Sequence, residues 1–160
     1  MSAPQVEITQ ARSEEDIASV GELFREYAAS IGVDLEYQGF AAELASLPAP
    51  YVPPHGALIV AQVDYATAAC VALRCLGAET GEMKRLFVRP AYRGLGLGQC
   101  LINAVVKAAR DAGYTALRLD TLPSMAGAQA LYRKLGFVEI PAYNNTHLPG
   151  TRFFELKLGA

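Results

Sequence analysis

The chain reads Arg93-Gly94-Leu95-Gly96-Leu97-Gly98 where a predicted strand, Glu82 to Val88, gives way to a predicted helix, Gly96 to Ala112. The first turn of a helix exposes backbone N–H groups and the positive end of the helix dipole, and glycines let a phosphate approach them without a Cβ in the way. Arg93 and the nearby Arg89 can add charge-assisted hydrogen bonds, which favours a pyrophosphate. The turn therefore predicts an anion site, with a flexible glycine turn as the alternative interpretation.

The charge distribution along the chain supports an anion site at this turn. The net charge of -2 divides into -9 over residues 1–82 and +7 over residues 83–160. Between Met83 and Arg110 there are six basic residues and no acidic one. Such a stretch attracts anions, although a solvated basic face would give the same pattern.

Hydrophobic periodicity predicts the strands and helices on either side of the turn. Upstream, the pattern predicts a strand at 6–11, a helix from Ser13 to Gly32, a second helix at about 35–47, and an antiparallel hairpin of 57–63 with 67–76. Downstream, it predicts a strand at 116–121, a helix that follows Ser124 and stops at Gly136, and strands at 137–140 and 153–158. We therefore expect one α/β domain, with a mixed sheet of six to seven strands flanked by about four helices.

Composition and cysteine spacing exclude several classes of protein. A hydrophobic fraction of 52% with 19% charged residues is typical of a folded globule, and no leader or membrane-length apolar run occurs, so we expect a cytoplasmic protein with no membrane partner. The three cysteines, Cys70, Cys75 and Cys100, form no metal-binding pattern. We expect them to be reduced core residues, with no metal site. The basic stretch is short and no recognition motif accompanies it, so we expect no binding to nucleic acid.

The spacing of the glycines shows which of the known phosphate-binding motifs the turn can match. The dinucleotide fingerprint needs a third glycine at position 99, where this chain has Gln99, although Asp120 lies near the distance expected of a ribose-binding acid. The P-loop fails because no Gly-Lys-Ser or Gly-Lys-Thr occurs. Neither nucleotide motif accounts for the turn.

Arg93-x-x-Gly96-x-Gly98 after a strand resembles the acyl-CoA pyrophosphate loop of the GNAT N-acetyltransferase superfamily. Met83 to Pro90 resembles the fourth strand of that family, and Leu131 to Phe137 resembles its later helix-to-strand signature. The specific similarity covers roughly residues 80 to 140. It implies one GNAT domain over 1–160, with an acceptor side in 1–80, an acyl-CoA core in 81–140, a C-terminal strand in 141–160, and a sheet splayed between its fourth and fifth strands.

The resemblance also implies which residues bind acetyl-CoA, the acyl donor. Backbone groups of Leu86, Phe87 and Val88 would bind the pantetheine arm as an added strand does, and an N–H there would polarise the thioester. The pyrophosphate would be held by Arg93, Gly94, Leu95, Gly96, Leu97, Gly98 and Gln99. Met125 stands where many members have Asn, so the resemblance does not carry the pantetheine contact of that position over to this chain. The adjacent Ser124 can replace that contact or cap the helix.

Three further residues have roles that the resemblance implies. Tyr132 matches the tyrosine that protonates the departing CoA thiolate, although a tyrosine packed on the sheet would fit the same helical stripe. Glu82 resembles the position of a general base, but a water can relay the proton and Glu82 can equally cap a strand edge. Asp120 can bind an acceptor ammonium, or serve in a buried turn.

The sequence thus predicts an enzyme that moves an acetyl group from acetyl-CoA to a primary amine, by direct transfer in a ternary complex and as a monomer or homodimer. No covalent intermediate is expected, since Cys100 lies within the helix with no histidine nearby. The acidic first half suggests a cationic acceptor, so charge reversal at Glu22, Glu26 or Glu36 should raise its KM. The alternatives are a non-catalytic acyl-CoA-sensing module and a nucleotide-dependent enzyme.

Overall fold

The computed structural model describes residues 3–32, 35, 39–145 and 148–159. Its strands are β1 (Val6–Gln10), β2 (Ala57–Val63), β3 (Ala66–Gly77), β4 (Thr80–Val88), β5 (Ala116–Thr121), β6 (Val138–Ile140) and β7 (Arg152–Lys157). Its α-helices are α1 (Glu14–Ile31), α2 (Phe40–Ser46), α3 (Leu97–Asp111) and α4 (Ala126–Lys134), and a short 3₁₀ turn covers Pro90–Tyr92. The described elements confirm the predicted single α/β domain.

One sheet contains all seven strands, in the order β1-β2-β3-β4-β5-β7-β6. Neighbouring strands run antiparallel except for β4 and β5, which are parallel and are joined by the crossover through α3. The β2–β3 hairpin turns at Asp64 and Tyr65, whose φ angles of 49° and 70° suit a two-residue turn. The sheet is therefore mixed, as the sequence predicts.

Helices cover both faces of the sheet. On one face α3 packs Leu101 and Val105 against strand residues such as Val71 and Leu117. On the other face α1 packs Phe24 into a second cluster that includes Val60 and Tyr51. Central strands buried on both faces need continuous apolar runs, which explains the composition of β2 and β3.

Local sequence signals define the helix ends closely. The Ser13 hydroxyl accepts a hydrogen bond from the backbone N–H of Asp16 at 3.0 Å, and Gly32 ends α1 with φ 66°. Gly96, with φ 76°, precedes α3, and Gly136 follows α4 with φ 100°. Because an L side chain is strained in this region of φ, glycine is favoured at each of these positions.

The sheet opens between β4 and β5. Their register contains only three pairs, Thr80↔Ala116, Gly81↔Leu117 and Glu82↔Arg118, and the two strands separate beyond the last of these. The predicted splay between the fourth and fifth strands is confirmed. It creates a cleft between the carboxyl-terminal halves of the two strands, which is where α/β folds commonly bind ligands.

Several local predictions are wrong. α2 begins at Phe40 rather than near residue 35, and residues 36–38, including Glu36, lie outside the described residues. Met125, not Ser124, precedes α4, and no side-chain hydrogen bond caps that helix. Only Cys70 is buried, whereas Cys75 and Cys100 are exposed, and all three are free thiols. Within the part of the chain described, no helix is long and apolar enough to cross a membrane.

Candidate active site

The predicted phosphate loop forms an open pocket at the start of α3. Gly94 and Gly96 both have positive φ angles, 85° and 76°. No side chain caps α3 and no acidic residue lies in its first turn, so the backbone N–H groups at this end remain available to an anion. The pocket measures about 230 Å³ and is lined by Val88, Tyr92, Arg93, Gly94, Gly96, Leu97, Gly98, Gln99 and Leu131.

Small side chains let the elements around this pocket approach closely. A Cβ at Gly98 would lie 3.3 Å from Cδ2 of Leu131, so glycine here brings α3 close to α4. Arg93 is exposed and its Nε donates to the Val88 carbonyl oxygen at 3.3 Å, which links the loop to the end of β4. The pocket and the last residues of β4 thus form one continuous surface.

Arg89 does not belong to the phosphate loop, contrary to expectation. Its guanidinium is paired with the Glu26 carboxylate, with Nη2 2.7 Å from Oε2, and it also donates to the Thr67 carbonyl oxygen. Glu22 lies 3.7 Å from the same guanidinium. The partners of Arg89 are thus acidic residues of α1, which it holds against the sheet.

The cleft between β4 and β5 lies beside the phosphate loop. It is lined by Tyr132 but not by Glu82, the other residue predicted to be catalytic. Its lining residues come from both strands, from α1 and α4, and from the segments that follow α1, β5 and β6: Tyr27, Ile31, Leu35, Met83, Lys84, Arg85, Leu86, Leu119, Asp120, Thr121, Leu122, Met125, Tyr132 and Thr151. Tyr132 and Asp120 therefore meet at one cleft, whereas Glu22 and Glu26 do not line it. Ser124 is exposed and also lies outside the lining.

A β-bulge shapes the β4 wall of the cleft. Ala72 pairs with Lys84 and Cys70 with Phe87, so two residues of β4, Arg85 and Leu86, lie opposite Val71 alone. Arg85 adopts φ 61° at this point. A bulge of this kind bends a strand and redirects its peptide groups. In the segment beyond Glu82, β4 has no register partner in β5, so the edge at Leu86 to Val88 faces the cleft.

Buried ion pairing holds Arg85 in this conformation. Its guanidinium contacts both carboxylate oxygens of Glu43 in α2, at 2.7 and 3.0 Å, and the Tyr51 hydroxyl donates to the same carboxylate at 2.8 Å. Burial alone would raise the pKa of Glu43, but the hydrogen bonds and charge of Arg85 outweigh it and lower that pKa. The network joins α2 to the bulge.

Tyr132 lies on the α3 side of the cleft. It is almost fully buried, with its ring 5.7 Å from that of Phe137 and 6.1 Å from that of Phe154. Burial raises the pKa of the Tyr132 hydroxyl well above its ordinary value. The phenol therefore stays protonated at any pH at which enzymes usually work, as a proton donor must.

Glu82 lies on the opposite face of the sheet, and its carboxylate is fully engaged. It is 2% exposed and accepts hydrogen bonds from Arg74 Nε at 2.7 Å and from the Tyr143 hydroxyl at 2.6 Å. Burial, followed by the charge of Glu82, raises the pKa of Tyr143 far above its ordinary value. Since neither Glu82 nor Tyr143 lines the cleft, a proton lost by an acceptor there would reach Glu82 only through a relay of other groups, such as Tyr143 together with a water.

The C-terminal segment supplies residues that the sequence did not predict. Tyr143 reaches Glu82, and the side chain of the next residue, Asn144, donates to Asp120 Oδ2 at 3.1 Å. The loop after β6 therefore contacts both Asp120 and Glu82, which lie on the same face of the sheet. An aromatic residue in a loop, Tyr143, was the one sequence signal for this contact. Nothing in the local sequence indicated that its partner is Glu82, 61 residues away.

The chain matches a known protein family across both the loop and the cleft. Residues 54–139 match the family described as the acetyltransferase (GNAT) domain. The chain belongs to the GNAT acetyltransferase family. An N-acetyltransferase of Schizosaccharomyces pombe is 34% identical over 160 residues, covering 99% of this chain and 98% of that relative. The protein is an acetyl-CoA-dependent N-acetyltransferase, with acetyl-CoA as its co-substrate.

Solved GNAT structures share the fold. A GNAT-family acetyltransferase from Staphylococcus aureus superposes with a TM-score of 0.80 at 19% identity, over 96% of this chain and 99% of that one. The PaiA N-acetyltransferase of Thermoplasma acidophilum, solved in complex with coenzyme A, gives a TM-score of 0.74 at 21% identity, over 96% and 99%. Among the residues described for this GNAT protein, no group of three His, Cys, Asp or Glu side chains could hold a metal.

Proposed function

We propose that this enzyme binds acetyl-CoA across the phosphate loop and the β4 edge, and acetylates a primary amine that enters from the α1 side of the cleft. One observation carries the proposal: the splay of β4 and β5 joins the helix-start anion pocket to a buried, protonated tyrosine. Residues 93–99 hold the pyrophosphate, and the backbone of Leu86, Phe87 and Val88 holds the pantetheine arm.

The chemistry is direct transfer between the two bound substrates. The neutral amine nitrogen attacks the acetyl carbonyl carbon and the carbon–sulfur bond breaks. Tyr132 donates its proton to the departing thiolate, and the proton lost by the amine passes to Glu82 through a relay that includes Tyr143, or to a water. The products are an N-acetylated amine and CoA, and no enzyme nucleophile takes part.

The acceptor face favours an amine that arrives as a cation. Asp120 lines the cleft on the α1 side, where its carboxylate can attract an ammonium before it loses a proton. The acidic residues of α1 contribute less to this argument than the sequence suggested, because Glu26 and Glu22 are paired with Arg89 outside the cleft. The negative charge that matters for the acceptor is therefore that of Asp120.

Two measurements test this proposal against the remaining alternatives. Acetyl-CoA should raise the melting temperature of the protein, whereas NAD and ATP should not; stabilisation by NAD or ATP alone would indicate a nucleotide-dependent enzyme. A panel of small amines, amino acids, antibiotics and peptides, assayed by release of free CoA thiol, should then yield at least one substrate. Binding of acetyl-CoA with no turnover of any amine would favour a sensing module.

A further inference from the structure

Thr121, the last residue of β5, has a buried hydroxyl with no hydrogen-bond partner. The residue is 3% exposed, and within the described residues its Oγ1 is the one buried side-chain oxygen or nitrogen left without such a bond. Buried polar groups are almost always satisfied, because an unmade hydrogen bond in the interior costs free energy. Because Thr121 also lines the cleft, its hydroxyl is a candidate for a group that a bound ligand satisfies.

Strand alternation places the Thr121 side chain on the donor side of the cleft. Leu117 and Leu119 belong to the core beneath α3, and Thr121 is the next residue on that face. Asp120 lies on the other face, with the acceptor. Thr121 lines the same cleft as Leu86 of the β4 edge and Tyr132, the proposed proton donor.

The other polar side chains near this wall are already bonded. Gln129 Nε2 donates to the Leu122 carbonyl oxygen at 2.8 Å, and the Thr151 hydroxyl donates to the Leu148 carbonyl oxygen at 2.7 Å. The start of α4 presents the apolar Met125 to the cleft. Among the described residues of this wall, Thr121 is the one whose buried side-chain oxygen has no hydrogen-bond partner.

We propose that the Thr121 hydroxyl binds the pantetheine arm of acetyl-CoA, through an amide or the thioester oxygen next to the reacting carbon. This inference rests on the proposed donor site. It assigns to Thr121 a polar contact with the arm that the apolar side chain of Met125 cannot make. A threonine hydroxyl suits either group, because it can donate one hydrogen bond and accept others. Its hydrogen bonding is completed only when the donor is bound.

Thr121→Val tests this because it removes the hydroxyl and keeps the shape of the side chain. Measured by isothermal titration, acetyl-CoA should bind about three- to tenfold more weakly to Thr121→Val than to the wild type, the range for one neutral hydrogen bond. Thr121→Ser should bind almost as the wild type does. Without ligand, Thr121→Val should melt at the wild-type temperature or above it, because a buried unsatisfied hydroxyl has been removed.

Thr115→Val is the matched control. Thr115 lies just before the other end of β5, where its hydroxyl donates to the Glu79 carbonyl oxygen at 3.3 Å, so its loss should leave acetyl-CoA affinity unchanged. Wild-type affinity in Thr121→Val would overturn the Thr121 assignment and leave the donor site standing. A parallel fall in melting temperature and affinity would overturn it too, because it would show an internal partner. Failure of the wild type to bind acetyl-CoA would overturn the proposed function itself.

Discussion

Tyr132 combines two properties that a thiolate-protonating residue needs: it lines the cleft, and burial raises its pKa above the ordinary value of 10.0. Tyr132→Phe should lower kcat by about 10²-fold or more, the usual contribution of a positioned acid. Acetyl-CoA affinity should not change, since the ring and its contacts with Phe137 and Phe154 remain. Because the pKa is raised, wild-type kcat should show no alkaline fall from Tyr132 up to pH 10. A kcat within a few fold of wild type in the Phe variant would assign the proton to water instead.

Residue identities could be predicted where a motif fixes them and not where the fold brings distant residues together. Tyr132 follows from the helix-to-strand signature, and it lies in the cleft as that signature requires. Tyr143 and Thr121 have no local signature: one bonds Glu82 from a loop, and the other is distinguished only by a missing partner. Both facts depend on tertiary placement, which a single sequence does not reveal.

At the scale of elements, the start of α3 can be tested with a pair of matched glycines. Gly96 and Gly32 have similar φ angles, 76° and 66°, and a Cβ would meet nothing within 4 Å at either. Gly96→Ala and Gly32→Ala should therefore lower stability by a similar amount, about 1 kcal/mol, through backbone strain. Only Gly96→Ala should weaken CoA binding, by about tenfold, because it disturbs charge-assisted bonds to the pyrophosphate. Equal CoA affinities in the two variants would contradict the assignment of the pyrophosphate to this loop.

The docking of α2 on the β4 bulge gives a second prediction at this scale. The pKa of Glu43 is lowered in the folded protein, so its pairing with Arg85 stabilises the fold above about pH 4.5 and is lost as the pH falls through the folded value. Glu43→Gln should lower the free energy of unfolding at pH 7 by about 3 kcal/mol, since it takes the Glu43 carboxylate away from the buried Arg85 guanidinium. The difference from wild type should shrink in acid, where Glu43 is itself protonated.

Chemical denaturation of both proteins at pH 7 and at a pH below 4.5 measures this difference. Glu79→Gln, at an exposed position of the turn before β4, is the matched control and should change stability at neither pH. A Glu43→Gln deficit of the same size at both pH values would show that the ion pair is not what Glu43 contributes.

The bounds of α1, which has the Ser13 cap, and of α3, which has a clear apolar periodicity, could be predicted to within a residue or two. α2 could not, because its start depends on the contacts of Glu43 and Phe40 with Arg85 rather than on a capping signal. β4 extends two residues earlier than predicted, to Thr80, because pairing with β3 and β5 continues there. Boundaries set by tertiary pairing leave little trace in the local sequence.

At the scale of the whole molecule, the division into an acidic and a basic half serves structure as well as binding. Glu26 of α1 pairs with Arg89, Glu43 of α2 pairs with Arg85, and Glu82 pairs with Arg74. The first two pairs tie the acidic helices to the basic β4 region. The sequence alone could show the asymmetry but not its use, because charge counts carry no information about partners. Among the described residues, Arg93 supplies positive charge at the phosphate loop, and the cleft is lined by Asp120 together with Lys84 and Arg85.

Asp120→Asn tests whether the negative charge of Asp120 selects the acceptor. Once an amine substrate has been found, the KM for its cationic form should rise by about fivefold or more, equivalent to about 1 kcal/mol, and acetyl-CoA affinity should stay at the wild-type value. Glu22→Gln should leave the KM unchanged, because Glu22 is 68% exposed, lies 3.7 Å from Arg89 and is not part of the cleft lining. If both variants raised the KM alike, the acidic helices would attract the acceptor through the field of the whole molecule. If neither did, positive charge on the acceptor would have no part in its recognition.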